Sequence, residues 1–586
     1  MVKFCILTED IIISKMTVSD YIVDFFCKKA INHFFGYQGT MIAYFVDAIH
    51  RNPNAFNHSC YNEQGASFAA CGYAQALGKC GVAYSTSGPG AVNLLSGVAN
   101  AFFDSEPVIF ITGQLNTYEY TRVEGMRQQG FQEINIVEMA KPITKYAVQL
   151  DDASRVRYEL EKAWCIANEG RKGSVLLDIP MNIQRTVIDL DSLIGYTEPQ
   201  LKEEEKVDYN LIYDSLHTAS RPLVLVGNGV DINSYSRLQE FITINKLPVV
   251  TSLLARDFMA GEDLCYGFIG GSYGSRTANL LTVAKADLLL AIGISLGKKQ
   301  TGVKVNDFAQ KAKLIRIDID PYQLQNKIKE DEVQFKIDAK VFIDGLQLKK
   351  YTKDTSRWIE FANCATQALD GFDKNLPERI PNLYVEYLSR KMDRNYNVIS
   401  DVGQHMMWMA QSFNLKSGQK LLFSGGHGAM GYALPAAIGA YYGNGNPCLC
   451  VSGDGSFQMN IQELQWIVRE NIPIKIVVMN NKCLGMIRLV QEDYIESRYE
   501  GVSEGNNYAA CDFVKVAQAY GIPSQRVADL EAMNNISFVD TRAELVEVIL
   551  NNDTVAVPKT YFGEPIYNQM PYIPKNIMDD LLSFEG

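Results

Sequence analysis

The sequence predicts an α/β protein made of three consecutive domains, each built around a parallel sheet. With 586 residues, the chain is too long for a single hydrophobic core. Three stretches alternate short apolar strands with helix-like segments, which is typical of parallel α/β layers. Two charged segments between these stretches are typical of linkers. We therefore place the domains at residues 16–190, 205–350 and 375–560.

Apolar strand candidates define each stretch. The first runs from about Thr17 to Asn182, the second begins at Arg221, and the third runs from about Leu383 to Val557. The predicted strands are 82–85, 108–112 and 174–179 in the first stretch, 288–292 and 314–319 in the second, and 397–400, 448–451 and 474–479 in the third. The predicted linkers are residues 202–208 and 349–357.

The composition limits the classes of function. The net charge is −12 and no basic cluster is present, which argues against nucleic acid as a partner. The 12 cysteines form no CxxC pair, so we expect reduced core thiols and a cytoplasmic protein. Glu9 and Asp10 interrupt the apolar residues near the start, so we expect no signal peptide and no membrane span. We interpret residues 1–15 as a poorly ordered extension.

The most informative pattern is Gly453-Asp454-Gly455 followed by Asn480-Asn481, with 27 positions from Asp454 to Asn481. The predicted strands before each motif, with a helix-like segment at 461–470 between them, form one βαβ unit. Both motifs are then expected at the same sheet edge, where ligands bind in such folds. A carboxylate and an amide oxygen suit Mg²⁺ that also binds diphosphate, whereas an ordinary Asp-Gly turn explains the spacing poorly.

These motifs resemble the thiamine diphosphate enzymes, and the surrounding sequence is similar to the acetolactate synthase group over nearly all of residues 16–560. The resemblance implies a pyrimidine-binding domain, a central domain and a diphosphate-binding domain, in that order. It implies Mg²⁺ ligands from the side chains of Asp454 and Asn481 and from the Cys483 carbonyl. The residues that it implies for cofactor binding are Gln404, His405, Gly428, Met430, Gly453, Asp454, Gly455, Ser456, Asn481, Gly485 and Met486.

A second segment, Tyr61 to Ala66, resembles the activating-glutamate segment of the same family and makes Glu63 the candidate activator. Thiamine chemistry requires removal of the thiazolium C2 proton, which a carboxyl group at the aminopyrimidine promotes best from an apolar site. An isolated Glu before a helix is more often a cap or a solvated charge, but the neighbouring residues favour the catalytic interpretation. Met430 is implied to lie beneath the bent cofactor, although a lone Met is usually a core residue.

Phe131 and Gln132 resemble a residue pair that lines the reaction pocket of this family. In the family, the activating glutamate and the metal ligands of one site belong to different subunits. The resemblance therefore implies a homodimer as the minimum active unit and is compatible with a tetramer. The implied reaction is decarboxylation of a 2-keto acid, with transfer of the remaining two-carbon unit.

The sequence departs from acetolactate synthase where the second keto acid is recognised. Ser295 and Val490 stand in place of an arginine and a tryptophan, and Gln38 and Thr40 replace a proline and a glycine. Since an arginine–carboxylate contact is hard to replace, we expect an acceptor larger and more polar than a small keto acid. Candidate cations for a phosphate on that acceptor are Lys298, Lys299 and Arg488, although each alone is more often a solvated charge.

This pattern resembles the acetolactate synthase-like carboligases of branched-chain deoxy sugar pathways, such as yersiniose biosynthesis. The favoured hypothesis is acetyl transfer from pyruvate to a ketone, such as a nucleotide-linked keto-deoxy sugar. The alternatives are a true acetolactate synthase, a plain 2-keto acid decarboxylase and, from a different class, a non-catalytic paralogue. Retention of Glu63, Asp454 and Asn481 argues against the last of these.

The central stretch resembles the FAD-binding domain of the family. The implied flavin-binding residues are Gly227, Gly229, Gly270, Gly271 and Asp318. Ser295 also replaces an arginine that lies beside the flavin in the family, so two interpretations stay open. The domain either binds FAD or has a structural role without it.

Overall fold

A computed structural model shows three six-stranded parallel sheets, which confirms the predicted fold class. It describes residues 15–120, 123, 125–198, 205–393 and 395–585. Contacts among these residues divide the chain into two compact units, which lie within Met1–Cys71 plus Lys79–Pro199 and within Gly72–Gly78 plus Gln200–Gly586. Across the described ranges, no helix has the length and apolar character needed to cross a bilayer. The predicted N-terminal extension, apart from Lys15, and part of the predicted linker at 202–208 lie outside the described residues.

The first unit is built around one parallel sheet. Its strands are β1 Lys15–Thr17, β2 His33–Gly36, β3 Phe56–Ser59, β4 Gly81–Ser85, β5 Val108–Gln114, β6 Tyr146–Gln149, β7 Val175–Pro180 and β8 Val187–Asp189. The helices are α1 Val18–Lys28, α2 Ala43–Arg51, α3 Glu63–Leu77, α4 Pro89–Phe103, α5 Ile136–Ala140, α6 Val156–Asn168 and α7 Met181–Gln184. The sheet order is β3-β2-β4-β5-β7-β6, and β1 pairs separately with β8. All residues of β5 and β7 are buried, as expected for inner strands of a parallel sheet with both faces covered.

The second unit begins with the central sheet, whose order is given by five parallel pairings. Its strands are β9 Pro222–Val226, β10 Val249–Thr251, β11 Cys265–Phe268, β12 Leu288–Ile292, β13 Lys313–Asp318 and β14 Val333–Lys336. Its helices are α8 Tyr209–Thr218, α9 Tyr235–Asn245, α10 Arg276–Leu280, α11 Lys298–Thr301, α12 Pro321–Gln325 and α13 Ala339–Gly345. The order is β11-β10-β9-β12-β13-β14, with β9 and β12 fully buried at the centre.

Helices α14 Ser356–Lys374 and α15 Ile380–Lys391 precede the last sheet. Its strands are β15 Asn397–Ser400, β16 Lys420–Phe423, β17 Cys448–Gly453, β18 Ile474–Asn480, β19 Ser524–Val527 and β20 Glu544–Ile549. The remaining helices are α16 Gln404–Ser412, α17 Ala433–Asn444, α18 Asp454–Met459, α19 Leu464–Glu470, α20 Gly485–Tyr494, α21 Phe513–Ala519, α22 Leu530–Asn534 and α23 Lys575–Ser583. In the order β16-β15-β17-β18-β20-β19, strands β17 and β18 are neighbours and end at the same edge.

Three helical segments differ from the predicted organisation. The interval from residue 356 to residue 391 contains α14 and α15, and Asp454 begins the short helix α18. Beyond residue 560, α23 packs through Leu581 on Leu280 and Leu369. A buried ion pair between Arg276 and Asp373, at 2.9 Å, holds the same region together.

Candidate active site

The carboxyl end of β17 places Asp454 at the edge of the last sheet. Its carboxylate accepts hydrogen bonds from the backbone N–H groups of Gly455 and Cys483, each at 3.0 Å. The Tyr508 hydroxyl also hydrogen-bonds to it. The side chain is buried, and no Lys or Arg of the described ranges forms an ion pair with it. Burial therefore raises the pKa of Asp454 to about 6, which marks a carboxylate without a compensating cation.

Asn481 follows β18 and faces the start of α16. Its amide Nδ2 donates to Gln404 Oε1 at 3.2 Å and to Thr554 Oγ1 at 3.0 Å. Gln404 in turn donates through Nε2 to the Thr554 carbonyl at 2.8 Å. These bonds fix the Asn481 amide, so that Oδ1 keeps its capacity to accept or to bind a cation.

His405 lies beside the same edge and has an unusual environment. A Cβ added to Gly453 would lie 2.8 Å from His405 Nδ1, so the glycine permits close contact with the ring. Burial lowers the pKa of His405 to about 3, which keeps the ring neutral. Its Nε2 is buried and has no hydrogen-bond partner in the described part of the chain. A buried polar atom of this kind is normally satisfied by a partner, so it indicates a ligand.

The loop before α17 is fixed by Asp401, which directly follows the neighbouring strand β15. The Asp401 carboxylate accepts from the backbone N–H groups of Gly431 at 2.9 Å and Ala433 at 3.0 Å. Burial raises the pKa of Asp401 to about 6. Met430 lies within this loop, and its Cε would be 3.5 Å from a Cβ added to Gly455. Asp401 thus holds Met430 next to the Gly453-Asp454-Gly455 turn.

In the first unit, Glu63 begins α3 and is buried. Asn93 Nδ2 donates to Glu63 Oε2 at 3.0 Å. A Cβ added to Gly90 would lie 3.0 Å from Glu63 Oε1, and one added to Gly88 would lie 2.8 Å from the Gln132 Cβ. Gly88 and Gly90, at the start of α4, therefore lie between Gln132 and Glu63.

These geometries can be compared with known proteins. Residues 16–139 match the family described as "Thiamine pyrophosphate enzyme, N-terminal TPP binding domain", residues 210–346 match its central domain, and residues 401–557 match its C-terminal TPP binding domain. Acetolactate synthase 1 (chloroplastic) of Oryza sativa subsp. japonica is 35% identical over 526 residues, covering 87% of this chain and 80% of the relative.

Two microbial relatives agree. The acetolactate synthase isozyme 2 large subunit of Escherichia coli (strain K12) is 33% identical over 518 residues, covering 87% of this chain and 91% of the relative. A probable acetolactate synthase large subunit of Methanocaldococcus jannaschii is 35% identical over 552 residues, covering 89% and 87%. The chain belongs to the acetolactate synthase-like family of thiamine diphosphate-dependent enzymes.

In this thiamine diphosphate enzyme, most of the predicted cofactor residues lie together at one sheet edge of the second unit. Ser456 is buried in α18, and its Oγ donates to the Val402 carbonyl at 2.7 Å. Gly485 packs on the Gln404 side chain, and the half-buried Met486 follows it in α20. Gly428 has a φ of +71°, which glycine adopts without strain.

The residues predicted to line the acceptor pocket are distributed over both units. Gln38 and Thr40 are exposed, and the glycine between them packs on Thr86 in the turn after β4. Ser295 is half-buried after β12, and Val490 is exposed on α20.

The three candidate cations differ in their surroundings. The Arg488 guanidinium is held by Glu492 and by the Thr554 carbonyl, the latter at 3.0 Å. Lys298 and Lys299 are exposed and form no ion pair with any residue that the structure describes. The lysines are therefore the better candidates for binding an anion.

The glycines predicted for flavin binding lie at the carboxyl edge of the central sheet, where they bond to neighbouring loops. The N–H of Gly229 donates to the Gly293 carbonyl at 3.0 Å, and that of Gly227 to the Ile292 carbonyl at 3.0 Å. The N–H of Gly271 donates to the Lys299 carbonyl at 2.5 Å, and Gly270 pairs with Asn279. Asp318 accepts from the Asp320 N–H at 2.9 Å.

Sequence reasoning missed Asp401, Tyr508, Thr554 and Asn93. Asp401 directly follows a correctly predicted strand and precedes the Val402–His405 motif, so its position at a strand end was a usable signal. Tyr508 belongs to no recognised motif and reaches Asp454 only through the folded loop after α20.

Proposed function

We propose that this chain is a thiamine diphosphate-dependent carboligase that decarboxylates pyruvate and joins the two-carbon unit to a second carbonyl compound. The observation that carries the proposal is the buried, uncompensated Asp454 carboxylate beside Asn481 and the unsatisfied His405 Nε2. A buried charge of this kind is costly unless a ligand compensates it.

The residues present fit Mg²⁺ and a diphosphate. Asp454 and Asn481 offer two oxygens and Cys483 offers a backbone carbonyl, which is the donor set that a hard cation prefers. His405 and Gln404 border the place where the diphosphate would lie, and Gly453 and Gly455 leave room for it. The bound cofactor supplies an electron sink for the carboxylate-bearing carbon of the substrate.

The residues of the chain then have distinct tasks. Asn93 holds the Glu63 carboxyl, which exchanges a proton with the aminopyrimidine ring nitrogen and so switches the cofactor on. Phe131 and Gln132 select the substrates, and Met430 supports the cofactor. We propose that Glu63 acts on the cofactor held by a second copy of the chain, so the active unit is a homodimer. FAD has no part in this proposal, because decarboxylation and carboligation transfer no net electrons.

Pyruvate itself is the first candidate acceptor, because the similar proteins are named acetolactate synthases. The second candidate is a nucleotide-linked keto-deoxy sugar. It is favoured by Ser295 and Val490, which depart from the family pattern, and by Lys298 and Lys299, which form no ion pair within the described ranges. Two adjacent exposed cations suit a phosphate-bearing acceptor.

The acceptor is tested by incubating the protein with thiamine diphosphate, Mg²⁺ and pyruvate, with and without a keto-deoxy nucleotide sugar. We expect CO₂ release, and products are identified by mass spectrometry. Acetolactate from pyruvate alone, in equal amount to CO₂, assigns pyruvate as acceptor. A sugar heavier by one acetaldehyde equivalent, with little acetolactate, assigns the sugar.

The Val490→Trp variant provides a matched control for the acceptor, because it restores the residue that the family pattern carries. If the sugar is the native acceptor, this variant shifts products toward acetolactate. Free acetaldehyde as the sole product would instead show a plain decarboxylase. No CO₂ release from pyruvate would refute the proposal.

The Tyr508→Phe variant tests whether the Tyr508 hydroxyl, which faces Asp454, orients this proposed metal ligand. Losing a hydrogen bond to a charged group costs about 1.5 kcal/mol, so we expect Mg²⁺-dependent cofactor binding to weaken roughly tenfold. Calorimetric titration of the unliganded protein measures this directly. Tyr499→Phe is the control, because Tyr499 bonds to Glu492 instead; equal losses in both variants would contradict the assignment.

A further inference from the structure

A second buried carboxylate, Asp178, lies in the first unit and has no role in the chemistry described so far. It belongs to β7, directly opposite Thr112 of β5. Thr112 Oγ1 donates to Asp178 Oδ1 at 2.6 Å, and Gln114 Nε2 donates to Asp178 Oδ2 at 3.0 Å. Only 1% of the residue surface is exposed, and burial raises the pKa of Asp178 to about 7. Burying a carboxyl group between two strands costs free energy. Apolar side chains would hold the same strands together without that cost.

Gln114 connects this carboxylate to a distant turn. The same Nε2 atom donates to the Ile134 carbonyl at 2.9 Å, while Oε1 accepts from the Leu115 N–H at 3.1 Å. A flipped amide would point Oε1 at two acceptors, the Asp178 carboxylate and the Ile134 carbonyl. Asp178, the Ile134 carbonyl and the Leu115 N–H together determine the orientation of the amide, and the amide links Ile134 to Asp178.

Ile134 ends the turn that carries Phe131 and Gln132. Gln132 adopts a φ of +62°, a left-handed conformation that a residue with a side chain holds only when its surroundings impose it. The Phe131 side chain is 79% exposed, so the turn is not shaped by burial of that ring. Glu133 Oε2 also accepts from the N–H groups of Gln129 at 2.6 Å and Gly130 at 2.9 Å.

The turn of Phe131 and Gln132 is aligned with Glu63 through Gly88 and Gly90 at the start of α4. Gly88 contacts Gln132 on one side, and Gly90 contacts the Glu63 carboxyl on the other. A shift of Ile134 would therefore move Gln132 relative to Glu63. Small displacements of this kind change substrate binding strongly in enzymes.

We propose that Asp178 and Gln114 are positioning residues that fix the turn of Phe131 and Gln132 against Glu63 and so determine how the substrate is bound. The inference rests on the proposed function for its effect on the reaction. The hydrogen-bond relay itself is independent of that function.

Gln114→Met tests the relay with a side chain of similar length. The thioether has no N–H group, so the hydrogen bonds to Asp178 and to Ile134 are both lost. We expect the KM for pyruvate to rise about tenfold, with little change in kcat and in the cofactor Kd. We also expect faster hydrogen exchange in residues 129–135, measured on the protein without substrate.

Thr112→Val is the matched control, since it removes the other hydrogen bond of the same carboxylate and leaves Gln114 in place. It should keep the wild-type KM and the wild-type exchange of residues 129–135. Equal exchange and equal KM in both variants would overturn the inference. Wild-type protein that releases no CO₂ from pyruvate refutes the proposed function instead, and the exchange measurement then still decides the relay.

Discussion

Glu63→Gln reduces pyruvate-dependent CO₂ release by about 10²–10⁴-fold, the usual contribution of a positioned acid–base group. Glutamine has the same shape, so the contact with Gly90 persists and Asn93 still finds an oxygen acceptor. However, an amide cannot exchange a proton with the ring nitrogen of the cofactor. The release of CO₂ is measured at saturating thiamine diphosphate and Mg²⁺, and cofactor binding is measured by calorimetry.

The control for this variant is Glu159→Gln, the same change at another buried glutamate of the first unit. Glu159 is bonded to Arg155 and to Tyr146 through its two oxygens. We expect this variant to lose stability and to keep its turnover within about twofold. Turnover retained by Glu63→Gln would remove Glu63 from the mechanism.

Asp454→Asn abolishes Mg²⁺-dependent binding of thiamine diphosphate, with an expected loss of about 100-fold or more in affinity. A charge-assisted contact is roughly twice as strong as a neutral one, and removing one partner of a buried charge pair costs about 3–5 kcal/mol. Ligand at 100 times its Kd stabilises a protein by about 2.7 kcal/mol. Thermal unfolding with and without ligand should therefore show a clear rise in Tm for wild type and none for the variant.

Without ligand, we expect the Asp454→Asn substitution not to lower the stability of the protein. Since burial raises the pKa of Asp454 to about 6, the wild-type carboxylate opposes folding at neutral pH when no cation is bound. Asp454→Asn without ligand should be at least as stable as unliganded wild type. The control is Asp178→Asn, a buried aspartate changed in the same way, which should keep the ligand-induced rise in Tm. A rise retained by Asp454→Asn would show that the metal binds elsewhere.

The two inactive variants together test the shared site. If the proposed homodimer forms, coexpressed Glu63→Gln and Asp454→Asn chains, each with its own tag, pair into mixed dimers. Each mixed dimer then contains one intact site, in which Glu63 of one copy faces Asp454 of the other. Random pairing predicts about a quarter of wild-type activity in the mixture, if sites are shared between symmetric copies. No recovery in purified mixed dimers would place both residues of one site in a single copy.

Local sequence determined the fold class and the position of the candidate metal site. Strands β12 and β15 have the predicted bounds, because β12 is a continuous apolar run and β15 has β-branched Val398 and Ile399 at its centre. The Gly-Asp-Gly and Asn-Asn motifs follow strands for the same local reason. Helices α14, α15 and α23 were not predicted as elements, since their apolar residues gain a partner only when distant segments fold against them.

The tertiary structure alone decided which side chains serve these motifs. Gln114 and Asp178 are 64 positions apart, yet a parallel strand pairing brings their side chains into hydrogen-bond contact. Tyr508 reaches Asp454, and Thr554 reaches Asn481, through loops without a recognisable pattern. Strands and motifs depend on residues that are neighbours in the sequence, so they can be recognised from the sequence alone. The orientation of a buried amide or hydroxyl depends on acceptors from remote strands, which only the folded chain brings together.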